Sequence, residues 1–263
     1  MNIGLIIVGD EILSGKRQDK HLAKVIELLA ARGLGLSWAR YVGDDRPRIT
    51  GALREAFEGG DLVFSCGGIG ATPDDHTRQC AAAALAVPLE LHPQAKALIL
   101  ERMRDVAAEQ GQPFEPERAD NVHRLNMGVF PRGAAIIPNP YNKIAGFSCG
   151  HVHFVPGFPV MAWPMIEWVL DHRYVHLHGG TRTLERSVIV FGAMEAGLTP
   201  LMEDIEARFP GVKVFSLPSV DHPEWGRHIE LGVKSAGDPA DAYAALRAGL
   251  ELAGVRLGPE LVR

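Results

Sequence analysis

Apolar positions recur along this chain in two rhythms, and the switches between them predict its elements. Ile3 to Val8 is an unbroken apolar run rich in β-branched residues, as in a strand covered on both faces of a parallel sheet. From Asp19 onward, Leu22, Val25, Ile26 and Leu29 fall at helical spacing, and Gly33 stands where a C′ residue belongs. Leu36 to Val42 predicts a second strand, and Pro47 opens a helix with Ile49, Leu53, Ala56 and Phe57 on one face. The third apolar run, Asp61 to Cys66, stops in glycines and restarts near Asp75 as an alanine-rich helix. Another helix opens at Pro93, Gln112 to Pro116 breaks regularity, and Gly133 to Ile137 reads as a strand. Gly146 to Cys149 and His151 to Val155 predict a hairpin about Gly150. A helix then runs from Pro156-Gly-Phe-Pro159 to Leu170, disturbed at Pro164.

Residues 173–181 carry His176, His178 and two glycines without an apolar period, which predicts a linker after a domain spanning 1–172. Residues 182–263 follow a different pattern. A strand from Thr183 to Phe191 precedes a helix opened by Thr199-Pro200, strands Val212 to Leu217 and His228 to Val233, and a helix from Asp238-Pro239. This β-α-β-β-α order predicts a small α+β domain.

Composition narrows the class. The 263 residues are 46% hydrophobic and 22% charged, an ordinary soluble globule. A net charge of −5 and a pI near 6.1 speak against a nucleic-acid partner, which would call for a basic face. Cys66, Cys80 and Cys149 are odd in number and widely spaced, so neither a disulfide framework nor a zinc cluster is expected, and a reducing cytoplasm is the simplest location. Met1 to Asp10 lacks a basic n-region and its apolar run is too short to span a bilayer, so no membrane partner is expected.

The candidate chemistry lies in the turns after strands. Gly9-Asp-Glu-Ile-Leu-Ser-Gly15 and Gly68-Ile-Gly70 both fail the G-x-G-x-x-G spacing, and Gly15-Lys16-Arg17 lacks the Ser/Thr of a P-loop. What remains is Phe64-Ser-Cys-Gly-Gly-Ile-Gly-Ala-Thr-Pro-Asp-Asp-His-Thr77, a strand, a glycine turn and a helix start. Its glycines admit positive φ and close approach of a ligand, and amides at a helix start favour an anion. Asp74 and Asp75 oppose that anion: like charges about 4 Å apart repel by roughly 4 kcal/mol at an effective dielectric near 20. A divalent cation between carboxylate and phosphate reverses the sign. Ligands in open α/β sheets collect at the carboxyl ends of strands, so Asp10/Glu11, Asp44/Asp45 and Asp74/Asp75 are expected on one rim. Each pair taken alone reads equally as a helix cap or a solvated turn. His176/His178 and His151/His153 alternate as paired imidazole ligands would, but without a carboxylate or thiol partner they read as linker or surface residues. Glu195, in a glycine-bounded stretch, reads as an exposed loop charge.

Gly9-Asp-Glu-Ile-Leu-Ser-Gly15, Val42-Gly-Asp44, Gly67 to Thr77, Asn139 to Phe147 and Pro156-Gly-Phe-Pro159, in that order, resemble the N-terminal region of the competence/damage-inducible protein A (CinA) family, within the molybdopterin-binding MoaB/Mog superfamily. The resemblance implies a three-layer α/β/α domain with a mostly parallel sheet. It implies a metal-dependent pyrophosphatase that splits ADP-ribose or a related dinucleotide such as FAD and releases AMP. Two alternatives follow from the same likeness: a protein that binds molybdopterin or nucleotide without hydrolysis, and a pterin-phosphate adenylyltransferase. By that resemblance Gly67, Gly68, Gly70 and Thr72 hold phosphate. Asp44, Asp74 and Asp75 hold Mg²⁺, Mn²⁺ or Co²⁺, with Asp44 and Asp75 catalytic. Glu11 and Ser14 close the far side, and the matched blocks add Gly9, Thr77, Asn139, Lys143 and Gly157 to the substrate side. Asp19-Lys-His21, Asn142-Lys-Ile-Ala145 and Met161-Ala162 depart from the family pattern on that side. A homo-oligomer, dimer or trimer, is expected, and no amidohydrolase domain, since the sequence ends at Arg263.

Overall fold

A computed structural model describes residues 1–179 and 184–263. Gly180 and Thr181 of the expected linker, the expected domain start at 182 and the strand start at Thr183 lie outside the described residues. The chain divides into two compact units, Met1–His178 and Gly179–Arg263.

The first unit runs β1 (Ile3–Val8), α1 (Asp10–Leu13), α2 (His21–Ala30), β2 (Trp38–Val42), α3 (Arg46–Gly59), β3 (Leu62–Cys66), α4 (Thr77–Leu85), β4 (Leu89–Leu91), α5 (Pro93–Glu109), α6 (Ala119–Arg124), β5 (Val129–Pro131), β6 (Ala135–Ile137), β7 (Gly146–Cys149), β8 (Val152–Val155) and α7 (Pro159–Arg173). Six strands form one sheet in the order β2-β1-β3-β8-β7-β6. The first four are parallel, and β7 and β6 are antiparallel to their neighbours. Alternation along each strand divides the core between two faces. Ile6, Val8, Val63 and Phe154 pack with Ile49 and Leu53 of α3 and Ala81 of α4. Leu5, Ile7, Leu62 and Phe64 pack with Val25 and Leu29 of α2 and Met165, Ile166 and Val169 of α7. A mostly parallel sheet between two helical layers is the three-layer α/β/α fold that the family resemblance implies.

Several boundaries differ from expectation for local reasons. α2 begins at His21 because the Asp19 carboxylate accepts from the amides of His21 (2.8 Å) and Leu22 (3.1 Å), capping the helix from outside. The ribbon of β4 and β5 was not expected, since three residues per strand give too short an alternation to read. The first half of the expected linker is built structure. Arg173 closes α7, Val175–Leu177 forms a short 3-10 turn, the Tyr174 hydroxyl pairs with His153 Nε2 at 2.9 Å, and His178 Nε2 donates to the Leu170 carbonyl at 3.1 Å.

The second unit contains β9 (Leu184–Phe191), α8 (Glu195–Arg208), β10 (Lys213–His222), β11 (Gly226–Ser235), α9 (Ala240–Leu252) and β12 (Arg256–Val262). Its sheet is antiparallel in the order β10-β11-β9-β12, and Leu198, Ile205, Leu246 and Leu250 of the two helices bury against Val188, Val190, Leu231 and Val233. The expected helix start at Thr199-Pro200 is corrected to Glu195. Pro200 lies inside α8, and the Thr199 hydroxyl donates to the Glu195 carbonyl at 3.1 Å. Glu195 is therefore a first-turn helix residue, not a loop charge. A final strand, β12, extends the expected order, with a register shift between Leu257 and Glu260 where Gly258-Pro259 interrupts the strand pattern. Among the described residues no helix is long and apolar enough to cross a membrane.

Candidate functional site

The four parallel strands of the first unit end on the same edge of their sheet, and the residues that follow them enclose a cleft of about 710 Å³. Gly9 follows β1, Asp44 follows β2, Gly67 to Asp75 follow β3, and Pro156-Gly157 follow β8; all contribute to its lining. This volume suits a nucleotide-sized ligand. Gly67 and Gly68 hold φ of 105° and 68°, and a Cβ would strike the Val8 carbonyl at the first and the Thr77 hydroxyl at the second. Thr77 braces the turn from beneath: its amide donates to the Gly68 carbonyl and its hydroxyl to the Gly67 carbonyl, each at 3.0 Å. The amides of Gly68, Ile69, Gly70 and Ala71 donate to no acceptor among the described residues. Four consecutive N–H groups without partners among the described residues, in a turn that lines a cavity, are donors of the kind that suit an anion.

The cleft wall carries the opposite sign. Glu11, Asp44, Asp74 and Asp75 line it against one cation, Arg17, which makes no ion pair among the described residues. Asp44 and Asp10 clasp each other's backbones: the Asp10 amide donates to Asp44 Oδ2 at 2.9 Å and the Asp44 amide to Asp10 Oδ1 at 3.1 Å. Burial raises the Asp44 carboxyl above the ordinary carboxylate range. The charges of Asp10, Glu11 and Asp74 add to that, while the bond from the Asp10 amide opposes it. Asp75 Oδ2 accepts from both the amide (2.8 Å) and the hydroxyl (2.5 Å) of Thr72, so this carboxylate also shapes the turn. Asp45, the other half of its pair, caps α3 by accepting from the Arg48 amide at 2.9 Å. Among the described residues no three His, Cys, Asp or Glu side chains are gathered as a metal cage. Carboxylates that line a cleft without forming a cage are the kind of donor that a hydrated divalent cation completes with phosphate oxygens.

Most of the sequence-predicted site residues meet in this cleft: Gly9, Glu11, Asp44, Gly67, Gly68, Gly70, Thr72, Asp74, Asp75, Asn139 and Gly157 all line it. Three do not. Ser14 is exposed at the end of α1, where its amide serves the Asp10 carbonyl. Thr77 is buried under the turn and reaches the cleft through the carbonyls it holds. Lys143 turns to α5, where Glu101 and Asp105 each accept from Nζ at 2.6 Å; two carboxylates outside outweigh the cleft. Arg17 and Phe158 line the cleft without having been expected there, while Asn142 and Met161 line it on the substrate side where their departures from the family pattern were expected. A basic residue just past Gly15 was the available signal for Arg17. The alternating histidines are internal braces: His153 lies in the core between Ser148 Oγ (2.7 Å) and the Tyr174 hydroxyl, and His151 Nε2 meets the Ala56 carbonyl at 3.0 Å. All three cysteines are buried and unpaired.

With this geometry in place, the likenesses to known proteins bear on it. Residues 4–176 match the family model described as "Probable molybdopterin binding domain". A CinA-like protein of Geobacter metallireducens is 30% identical over 272 aligned positions, covering 100% of this chain and 61% of the relative. A CinA-like protein of Anaeromyxobacter dehalogenans is 34% identical over 177, covering 65% of this chain and 41% of its own length. The chain thus spans about two fifths to three fifths of these curated relatives. The crystal structure of the protein CinA from Thermoplasma acidophilum, described as of unknown function, is 28% identical and superposes with a TM-score of 0.55, covering 65% of this chain and 98% of that one.

Proposed function

The chain belongs to the family of molybdopterin-binding domains to which CinA-like proteins are related, and from that membership we propose that its cleft binds a nucleotide or pterin phosphate and hydrolyses a nucleotide pyrophosphate bond with the help of a divalent cation. ADP-ribose or a related dinucleotide such as FAD is the proposed substrate class, and AMP the common product. The observation that carries the reading is the run of amides from Gly68 to Ala71, unpartnered among the described residues, in a turn that lines the same cleft as Glu11, Asp44, Asp74 and Asp75. Donors for a polyphosphate and carboxylates for its counter-cation then line one cleft.

Mg²⁺, Mn²⁺ or Co²⁺ held by Asp44 and Asp74 would supply charge neutralisation for the pyrophosphate. The chain's own parts do the rest. The amides hold phosphoryl oxygens and meet the charge that develops as water adds to phosphorus and the bridging P–O bond breaks. Asp75, oriented by Thr72, would accept a proton of the attacking water. Arg17, on the lining, adds the positive charge that a phosphate monoester leaving group requires. Asn139 is itself tied to the Ile144 carbonyl (2.9 Å) and the Asn142 side chain (2.8 Å), so it sets the shape of the far wall.

A second reading has its own support. Asp75 is engaged by Thr72 and Asp44 by Asp10, which favours a module that binds its ligand without turnover, or one that adenylylates a pterin phosphate. Incubation with ADP-ribose, FAD and ATP, each with Mg²⁺, Mn²⁺ or Co²⁺, separates the readings. AMP release abolished by Asp75→Ala in a folded protein supports hydrolysis; thermal stabilisation by the same ligands without AMP supports binding alone. Self-association into a dimer or trimer is proposed alongside, with light scattering as its check.

A further inference from the structure

A second cavity, of about 500 Å³, shares Ala71, Thr72 and Asp75 with the cleft but has the opposite electrostatic character. Arg46 and Arg78 line it against the single carboxylate of Asp75, which Thr72 already engages. In a chain whose net charge is −5, a concave surface with a cationic excess is a selective place for an anion.

Arg78 is the more unusual of the two. It is only 4% exposed, yet it makes no ion pair among the described residues. Its guanidinium donates to the Asn126 carbonyl (2.6 Å) and to the Gly70 carbonyl, and three of its five N–H donors are left uncommitted. Burial pulls its pKa below the ordinary arginine range, with Asp75 opposing, but a guanidinium stays charged at any physiological pH. A buried cation without a carboxylate partner is costly in isolation and is relieved by an anion at the cavity it lines. Arg46 is exposed and likewise unpaired among the described residues. Leu89 and Val129 add apolar side chains to the lining of the cavity.

We propose that this cavity is a second binding site, independent of divalent cations, for a phosphate monoester whose anionic group sits between Arg46 and Arg78 and whose attached ring lies against Leu89 and Val129. The cleft, walled by carboxylates, needs a cation before a phosphate is welcome; this cavity does not. The proposal therefore does not rest on the hydrolytic reading of the cleft, and a measurement in a chelator addresses it alone.

The test is calorimetric titration of the full chain with inorganic phosphate and with AMP, in EDTA. Saturable binding is expected for both, tighter for AMP, weakened at least tenfold by Arg46→Glu and unchanged by Asp44→Asn. Arg46 is chosen because it is exposed and its substitution spares the core, whereas Arg78 variants endanger the fold; a thermal melt of each variant confirms folding. No heat of binding in EDTA, or binding indifferent to Arg46→Glu, would overturn the site. Binding changed by Asp44→Asn, whether strengthened by removal of a repelling charge or lost, would move it to the cleft and overturn it as well. Equal affinity for phosphate and AMP would overturn the part assigned to Leu89 and Val129.

Discussion

Gly67 and Gly15 both hold positive φ, 105° and 72°, but a Cβ at Gly67 would strike the Val8 carbonyl while one at Gly15 would meet open space. Gly67→Ala should therefore cost about 2–4 kcal/mol of stability, as strain plus backbone collision, and Gly15→Ala about 1 kcal/mol from conformation alone. Urea unfolding of the two variants checks this, and equal losses would show that the turn has slack. Asp44 makes a different prediction. Its folded-state pKa is raised, chiefly by burial, so the fold favours its protonated form; stability from this group is present below the unfolded carboxylate pKa and is lost as pH rises through the higher folded value. Asp44→Asn should then raise the melting temperature at pH 7 without divalent ions, with the gain shrinking as pH falls toward about 4. The same variant should lose cation-dependent ligand binding. A lower melting temperature at pH 7 would mean that the bond from the Asp10 amide, not burial, governs this carboxylate. Gly67 could be picked from the letters because a glycine run after an apolar strand has few uses. The bond from Thr72 to Asp75 could not, since Thr72, Asp74 and Asp75 all have side chains able to cap or close a turn.

β7, β8 and the end of α7 meet at His153, whose ring sits between Ser148 on β7 and Tyr174 just past α7. Burial holds its pKa down to about 3, with Arg173 and His151 contributing, so it is neutral in the fold. In the unfolded chain it takes a proton near pH 6.5, so stability falls as pH drops below that value until the folded pKa is reached. A fall on the order of 2 kcal/mol between pH 6.5 and 5 is expected from this group. His153→Gln should flatten that slope in chemical denaturation at a series of pH values, and an unchanged slope would place the linkage elsewhere. At this scale the periodicities were informative: β1, β3, α3 and α5 were legible because each carries a long run with one period. α1, β4 and β5 were not, since three or four residues hold too little pattern. α8 was misplaced by the strength of Pro200 as a start signal, which an internal position with a Thr199 side-chain bond can also accommodate.

Each of the two units has its own buried cluster, and every residue lining the cleft belongs to Met1–His178. The family match, 4–176, falls within the same unit. A chain ending at His178 should accordingly fold by itself, with cooperative melting and intact cation-dependent ligand binding. Ending it instead at His172 should destabilise it, because Tyr174 and His178 close hydrogen bonds onto His153 and Leu170. Circular dichroism melts of the two truncations check this; identical melting would make the closing turn dispensable.

The order of the longer strands and helices, the buried parallel character of β1, the glycine turn after β3 and the acidic corners were determined by the sequence itself, because apolar period, glycine placement and charge are local properties of neighbouring letters. Only the tertiary structure decided which of those corners face one another. It sent Lys143 to Glu101 and Asp105, folded Thr77 beneath the turn, brought Arg17 and Phe158 to the cleft, and buried Arg78 without an ion pair among the described residues. A side chain's final partner is chosen among groups far apart in sequence, by which of them packing brings within hydrogen-bonding distance and which remain in water.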